Sequence, residues 1–433
     1  MKRFLACLCV SALVFCLVSP VMAGGIDNKH NYSAEYIRTL NRNAATDSAD
    51  AVVYNPAGVV RMEDGFYGNI SGQYAFKKYT NTVDGVELQT DEGDFVPGVF
   101  ALWNKDRWAV YGAFTIPAGG GSVDYEDGSA TTVAIAQGMM ASANAMANAA
   151  LAANLLTPYS PYDTIRNMKI DGESYYYGFT LGGAFAINDM FSVSLGGRYI
   201  NATKIDVDGS VTIGASAGTG PLGSFSDIPA LVEYDQTGDG WGAIIGLDIA
   251  PTEQSNIAIR YETRTELDFE YDVKRDTQRI LPMLGVVDGV EVRRDLPALL
   301  GFGASYQFTP EFKVDANLTW YFNENADWEG AEDLVDDGYD LGISFQYAFL
   351  PQLIGSVGYM WTDTGIDPDY MLAEAPELDA HSICGGLKWT ATPGLDINLG
   401  ILKTFYQDDT TSWGVKYEKD VVIVALGVQY KFW

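Results

Sequence analysis

The chain has 433 residues, 47% of them hydrophobic, and sets 27 Lys and Arg against 57 Asp and Glu for a formal charge of -30. A charge of that sign argues against nucleic acid or an anionic surface as partner. The mean hydropathy of -0.02 would pass for a soluble protein, but a transmembrane β-barrel gives the same average, because lipid-facing and lumen-facing residues alternate and cancel. Lys2 and Arg3 precede the apolar run Phe4 to Val18, and Val21-Met22-Ala23 supplies small residues for cleavage, so residues 1–23 read as a signal peptide. Phe15 stands where a lipoprotein site before Cys16 would need a small residue. Cys7, Cys9 and Cys16 fall in this segment, which leaves Cys384 alone in the mature chain and no intramolecular disulfide.

Residues 24–64 differ from everything that follows. Asn41 to Gly58 is rich in Ala, Asn and Asp and breaks at Asn55-Pro56-Ala57-Gly58, where proline removes a backbone donor and glycine permits a turn. From residue 65 on, apolar and polar residues alternate between turns, the period of strands half-exposed to an apolar medium. In Phe312 to Phe322 the even positions are Phe, Val, Ala, Leu, Trp and Phe; in Tyr339 to Phe349 the odd ones are Tyr, Leu, Ile, Phe, Tyr and Phe. Such segments lie near 66–79, 92–104, 106–117, 169–188, 190–209, 229–250, 255–274, 292–309, 311–323, 338–349, 352–364, 377–392, 395–408 and 415–432. Past the signal no apolar run reaches the length of about 18 residues that a helical span needs. The fold class expected is therefore an all-β transmembrane barrel of about 14 antiparallel strands over residues 65–433, with the N-terminal segment as a hatch in the lumen. A soluble sandwich is the competing fold, but so many strands with broad aromatic faces must close or aggregate.

Short turns such as Asn188-Asp189 and Thr392-Pro393-Gly394 alternate with longer acidic loops, which puts both chain ends in the periplasm of a Gram-negative cell. The last strand ends on Tyr430 and Phe432, an aromatic-x-aromatic signal of the kind that the barrel-assembly machinery reads, with Trp433 one residue beyond it. Between the third and fourth strands the pattern fails, near 118–168. Thr131 to Leu156, with Met139, Met140, Met146, Leu151 and Leu155 among alanines, reads as one or two helices of an outer loop. Their apolar side either packs on the barrel rim or offers an adaptable surface to a greasy ligand.

Three stretches then coincide: Asn55-Pro56-Ala57; Val96-Pro97-Gly98 with Trp108 to Gly112 and Ile116-Pro117; and Leu296-Pro297 to Gly301 with Tyr306 and Phe312. Together the chain resembles the FadL family of outer-membrane transporters for long-chain fatty acids and other hydrophobic compounds. The resemblance implies capture of ligand at outer loops, passage into a pocket in the barrel, and lateral or hatch-gated release. It also implies a kink in the third strand between Trp108 and Pro117, with Gly112 the candidate. A fatty acid would need basic partners. By parity Arg198 and Lys204 face inward, as do Arg260 and Arg264 with Glu262, and Lys313 and Lys388; each can equally be a lumen ion pair. If all are paired, a neutral hydrocarbon is the better guess.

The alternatives are a passive porin, a surface receptor, and a lipid hydrolase. The last would need a nucleophile with an orienting base, and the only histidines are His30 and His381. Catalysis, cofactor and metal are not expected. The expected partners are a hydrophobic small molecule, outer-membrane lipid and lipopolysaccharide around a monomer, and the assembly machinery.

Overall fold

The computed structural model describes residues 31–153, 159–220 and 223–433. The signal segment, His30, the first residues of the hatch and Leu155 lie outside them, as does the side chain of Lys204. The wall consists of β1 (Gly65–Val83), β2 (Val86–Lys105), β3 (Trp108–Tyr125), β4 (Thr164–Ala186), β5 (Phe191–Gly214), β6 (Ile228–Thr252), β7 (Ser255–Glu262, resuming at Asp268–Asp276), β8 (Glu291–Arg293, then Ala298–Gln307), β9 (Phe312–Phe322), β10 (Gly338–Leu350), β11 (Leu353–Asp363), β12 (Ala380–Thr392), β13 (Leu395–Tyr406) and β14 (Lys416–Lys431). Each pairs antiparallel with its neighbour in sequence, and β14 closes on β1 from Tyr67↔Lys431 to Thr82↔Lys416. Closure leaves no sheet edge, as a lipid setting requires. Trp433 stacks on Phe66 across that seam, with ring centroids 5.6 Å apart.

The wall is inverted relative to a soluble protein: Ile70, Leu181, Leu195 and Leu426 point outward and are exposed, while Asn69, Ser71, Gln73 and Asn398 are buried inside. Outward aromatics form two belts, one with Trp103, Trp108 and Phe432 at the periplasmic end and one with Tyr74, Phe76 and Phe95 nearer the outside.

Two segments depart from the sequence expectation. The β1–β2 hairpin has no long loop; the strands continue to a two-residue turn, Asp84-Gly85, both with positive φ. Asp-Gly is the residue pair such a turn demands. The seventh and eighth strands are each broken, at 263–267 and 294–297, and are joined there by an isolated Thr265↔Leu296 bridge and by the Arg294 N–H donating to the Leu267 carbonyl at 2.9 Å. The outer-loop helix is one element, α3 (Ala130–Ala153), after the short α1 (Ala34–Ile37) and α2 (Ala51–Tyr54) of the hatch.

Residues 32–45 and 48–60 are buried inside the barrel. Glycines in the wall make room for the hatch backbone: a Cβ on Gly358 would come within 2.2 Å of the Thr39 carbonyl oxygen, and one on Gly303 within 2.5 Å of the Ala44 nitrogen. Polar side chains then tie plug to wall. Arg38 donates to Asn398 Oδ1 (3.0 Å) and Gln346 Oε1 (2.8 Å). Glu35 accepts from Asn69 Nδ2 (2.6 Å) and Asn398 Nδ2 (2.9 Å), and Arg42 pairs with Asp50 at 2.5 Å. Buried charges without such partners would be strongly destabilising.

Candidate functional site

The Asn55-Pro56-Ala57 turn is clamped to the wall at β5 to β7. Asn55 Nδ2 donates to Asp248 Oδ2 (2.7 Å) and to the Ala45 carbonyl (3.1 Å), while its Oδ1 accepts from the Gly58 N–H (3.1 Å). Ser192 Oγ donates to the Ala57 carbonyl at 2.7 Å. Asp248 also accepts from Asn256 Nδ2 (2.6 Å) and pairs with Arg61. A Cβ on Gly58 would lie 2.2 Å from Asn55 Nδ2, so any other residue there would displace the Asn55 side chain from the clamp. Asp248, which the strand alternation places on the polar face without distinguishing it, is the centre of this clamp. Beneath the plug a cavity of about 810 Å³, lined by Asp47, Arg61, Lys313, Gln346 and Lys388 among others, opens toward the periplasmic turns.

Above the plug, buried apolar side chains from five strands pack on one another: Ala118, Tyr176, Ile200, Leu267, Phe269, Val292 and Leu296. Each basic residue singled out in the sequence whose side chain is described has an acidic partner. Arg198 and Arg260 meet on one carboxylate, Glu262, at 2.7 and 3.2 Å. Arg264 is apart from them, on Asp295 at 3.0 Å. Lys313 pairs with Asp315 (2.9 Å) and Lys388 with Asp396 (3.1 Å). Arg294, which sequence parity did not single out because it sits in the break of β8, is different. It is half-buried, donates to the Arg293 carbonyl at 2.5 Å, lies within electrostatic reach of Tyr271, Glu329, Tyr176 and Glu332, and makes no ion pair among the described residues.

The α3 methionines are mostly used in packing. Met139 and Met140 lie against Ile213, Val211 and Ala136, with Met139 also reaching the cluster of Ile280, Leu281 and Val286. Leu151 is buried, and only Met146 among them is freely exposed.

The third strand is kinked, but Gly112 is not the kink. It stands in unbroken register with Ala101 on β2 and Leu181 on β4. The ladder between β2 and β3 stops at Val99↔Phe114, although both strands run on. On the other side, β3 shifts register against β4 between Thr115 and Ala118 and again between Ala118 and Gly121. The cause is local. Pro117 lacks a donor, and Gly119 and Gly121 adopt φ of +97° and +75°, which only glycine takes freely. The split begins on β2 four residues inward of Phe95, about 13 Å along the strand, and therefore within the apolar band between the two aromatic belts.

A closed 14-strand barrel with belts, an inner plug and a split wall defines an outer-membrane transport protein. A family model described as outer membrane protein transport protein (OMPP1/FadL/TodX) matches residues 15–432, and the chain belongs to that family. The protein is thus an outer-membrane transporter of hydrophobic compounds, of a family of channels rather than enzymes. Similar solved structures include a Pseudomonas aeruginosa FadL homologue, 14% identical, covering 96% of this chain and 100% of that one with a TM-score of 0.65. Others are the Pseudomonas putida toluene transporter TodX (11%, 96% and 100%, 0.60) and the Ralstonia pickettii toluene transporter TbuX (13%, 94% and 100%, 0.63). No curated protein matches the chain.

Proposed function

We propose that this barrel takes up uncharged hydrophobic molecules and releases them sideways, through the split between β2 and β3, into the outer membrane. The observation that carries the route is the end of the ladder at Val99↔Phe114 inside the apolar band, beside the apolar cluster to which Ala118 of the kink itself belongs. An apolar molecule leaving by the split never meets the polar, plugged lower lumen. Each methylene kept out of water is worth about 0.8 kcal/mol. The buried plug speaks against a passive porin. Pairing of Arg198, Arg260, Arg264, Lys313 and Lys388 with acids supports a neutral ligand, as toluene is for the TodX and TbuX proteins.

Arg294 favours a second reading, a fatty acid whose carboxylate would complete the missing ion pair. Uptake of radiolabelled toluene and oleate by cells with matched amounts of folded barrel separates the two. Toluene uptake that survives Arg294→Ala, with little oleate entering, is the expected result. Oleate uptake lost in Arg294→Ala would establish the carboxylate reading, and uptake of neither above barrel-free cells would overturn both.

A further inference from the structure

Where β3 leaves β2, its backbone groups lose their ladder partners, and in lipid each must find another. Those of the kink find side chains. Lys77 of β1 donates to the Gly120 carbonyl (2.7 Å) and the Ser122 carbonyl (2.9 Å). Asp94 of β2 pairs with Lys77 and accepts from the Ser122 N–H (3.2 Å), Ser122 Oγ (2.8 Å) and Tyr175 Oη of β4 (2.6 Å). Further out, Thr90 Oγ1 accepts from the Asp124 N–H at 3.1 Å. The ion pair is buried, 4% and 6% exposed. Between its upper edge at Asp94 and Ser122 and its lower edge at Val99 and Phe114, β3 uses eight residue steps (114 to 122) where β2 uses five (94 to 99). The cavity in that window, lined by Val96, Ile116, Gly119, Gly121 and Tyr175 among others, measures about 40 Å³. An apolar protein cavity that takes up benzene measures about 150 Å³. The window is therefore shut to an aromatic ring in this state.

From this we infer that Lys77 and Asp94 form a latch that holds the lateral window closed, and that its release is the gating step of transport. The inference rests on the lateral route proposed above. A strand joined by a full ladder opens only by breaking many bonds in register, whereas toward β1 and β2 this stretch is held by side chains, those of Lys77, Asp94 and Thr90, with the Tyr175 phenol of β4 joining them. Breaking them lets the glycine-rich segment swing without unzipping β3 from β4. The charges of the latch cancel, so a neutral ligand meets no net charge in passing.

Removing one partner would strand a buried charge, so the test replaces both, Lys77→Met with Asp94→Asn, and adds Tyr175→Phe, which deletes one hydroxyl. A disulfide between Thr90→Cys and Asp124→Cys locks the window without touching the latch. With folded barrel matched, initial toluene uptake should rise about three- to tenfold in the double variant, by the net worth of about one hydrogen bond, and less in Tyr175→Phe. It should collapse in the oxidised lock and return on reduction. A lock that blocks uptake while the double variant and Tyr175→Phe match wild type would keep the lateral route and overturn the latch. A fully formed lock without effect would overturn the route, and the latch with it.

Discussion

At Asp248 one carboxylate answers three donors from three directions: Asn55 of the hatch, Arg61 just after it, and Asn256 of β7. A charged acceptor so used makes strong hydrogen bonds, and leaving its partners unsatisfied costs about 1–3 kcal/mol. Replacing Asn55 by Ala removes the bonds to Asp248 and the Ala45 carbonyl and the acceptor of the Gly58 N–H. Hydrogen exchange over residues 45–61 should quicken by one to two orders of magnitude, with the barrel strands as protected as before. Unchanged protection there would show that the motif is not what holds the hatch. Proline and glycine were conspicuous in the sequence as turn formers. That Asn55 reaches Asp248, 193 positions away, was not, because a plug's contacts depend on how far the wall has curved back around it.

For the third strand, the element and not the single residue decides the kink. Gly112 has ordinary room: a Cβ there would meet only the Thr180 carbonyl oxygen, at 3.5 Å. Gly119 does not, with φ of +97° and a Cβ that would lie 2.2 Å from the Ser174 carbonyl oxygen. Left-handed backbone alone costs a non-glycine residue about 1–2 kcal/mol. Gly112→Ala should therefore transport toluene like wild type, while Gly119→Ala should cut uptake severalfold at equal surface amount. Equal uptake by both variants would mean that the kink does not carry the ligand. The sequence placed a change of character at Ile116-Pro117 and Gly119 to Gly121, yet strand glycines elsewhere look the same in a list of residues. What separates them is whether the neighbouring strand still pairs, and only the register tells that. In the β1–β2 hairpin the signal was legible: Asp84-Gly85 is a tight-turn pair, hidden among acidic residues that resemble a loop.

Seen as a whole, the molecule is closed at the outside by loops that pack on one another. Trp328, Val335, Ile366, Met371, Leu378 and Tyr417 join two loops and the outer end of β14 in one apolar cluster. The start of α3 is tied to them: Ser129 Oγ donates to Glu374 at 2.5 Å, and Asn81 of β1 bridges the Ala373 carbonyl (2.8 Å) and the Ala130 N–H (2.9 Å). Burial raises the Glu374 carboxyl above its ordinary pKa, against the hydrogen bonds from Ser129 and Thr131 that lower it. A raised carboxyl binds its proton more tightly in the folded loop than in the unfolded chain. Its contribution is complete below the ordinary carboxylate pKa and is lost as pH rises through the raised value. Protection of residues 364–379 in hydrogen exchange, corrected for intrinsic rate, should fall across that window and become flat in Glu374→Gln. A wild-type profile without slope would show that this carboxyl is not buried in solution.

What the sequence determined by itself was whatever is periodic or local: fourteen strands, their lipid and lumen faces, the side on which the ends lie, and a plug that breaks the pattern. Those follow from parity and turn chemistry, which act between near neighbours. The tertiary structure alone decided which inward charges meet. Arg198 and Arg260 share Glu262, Arg264 takes Asp295, Arg294 makes no ion pair among the described residues, and Lys77 finds Asp94 at the mouth of the split. Parity says which way a side chain points, but its partner is set by barrel curvature and by strand register, and both exist only once β14 has closed on β1.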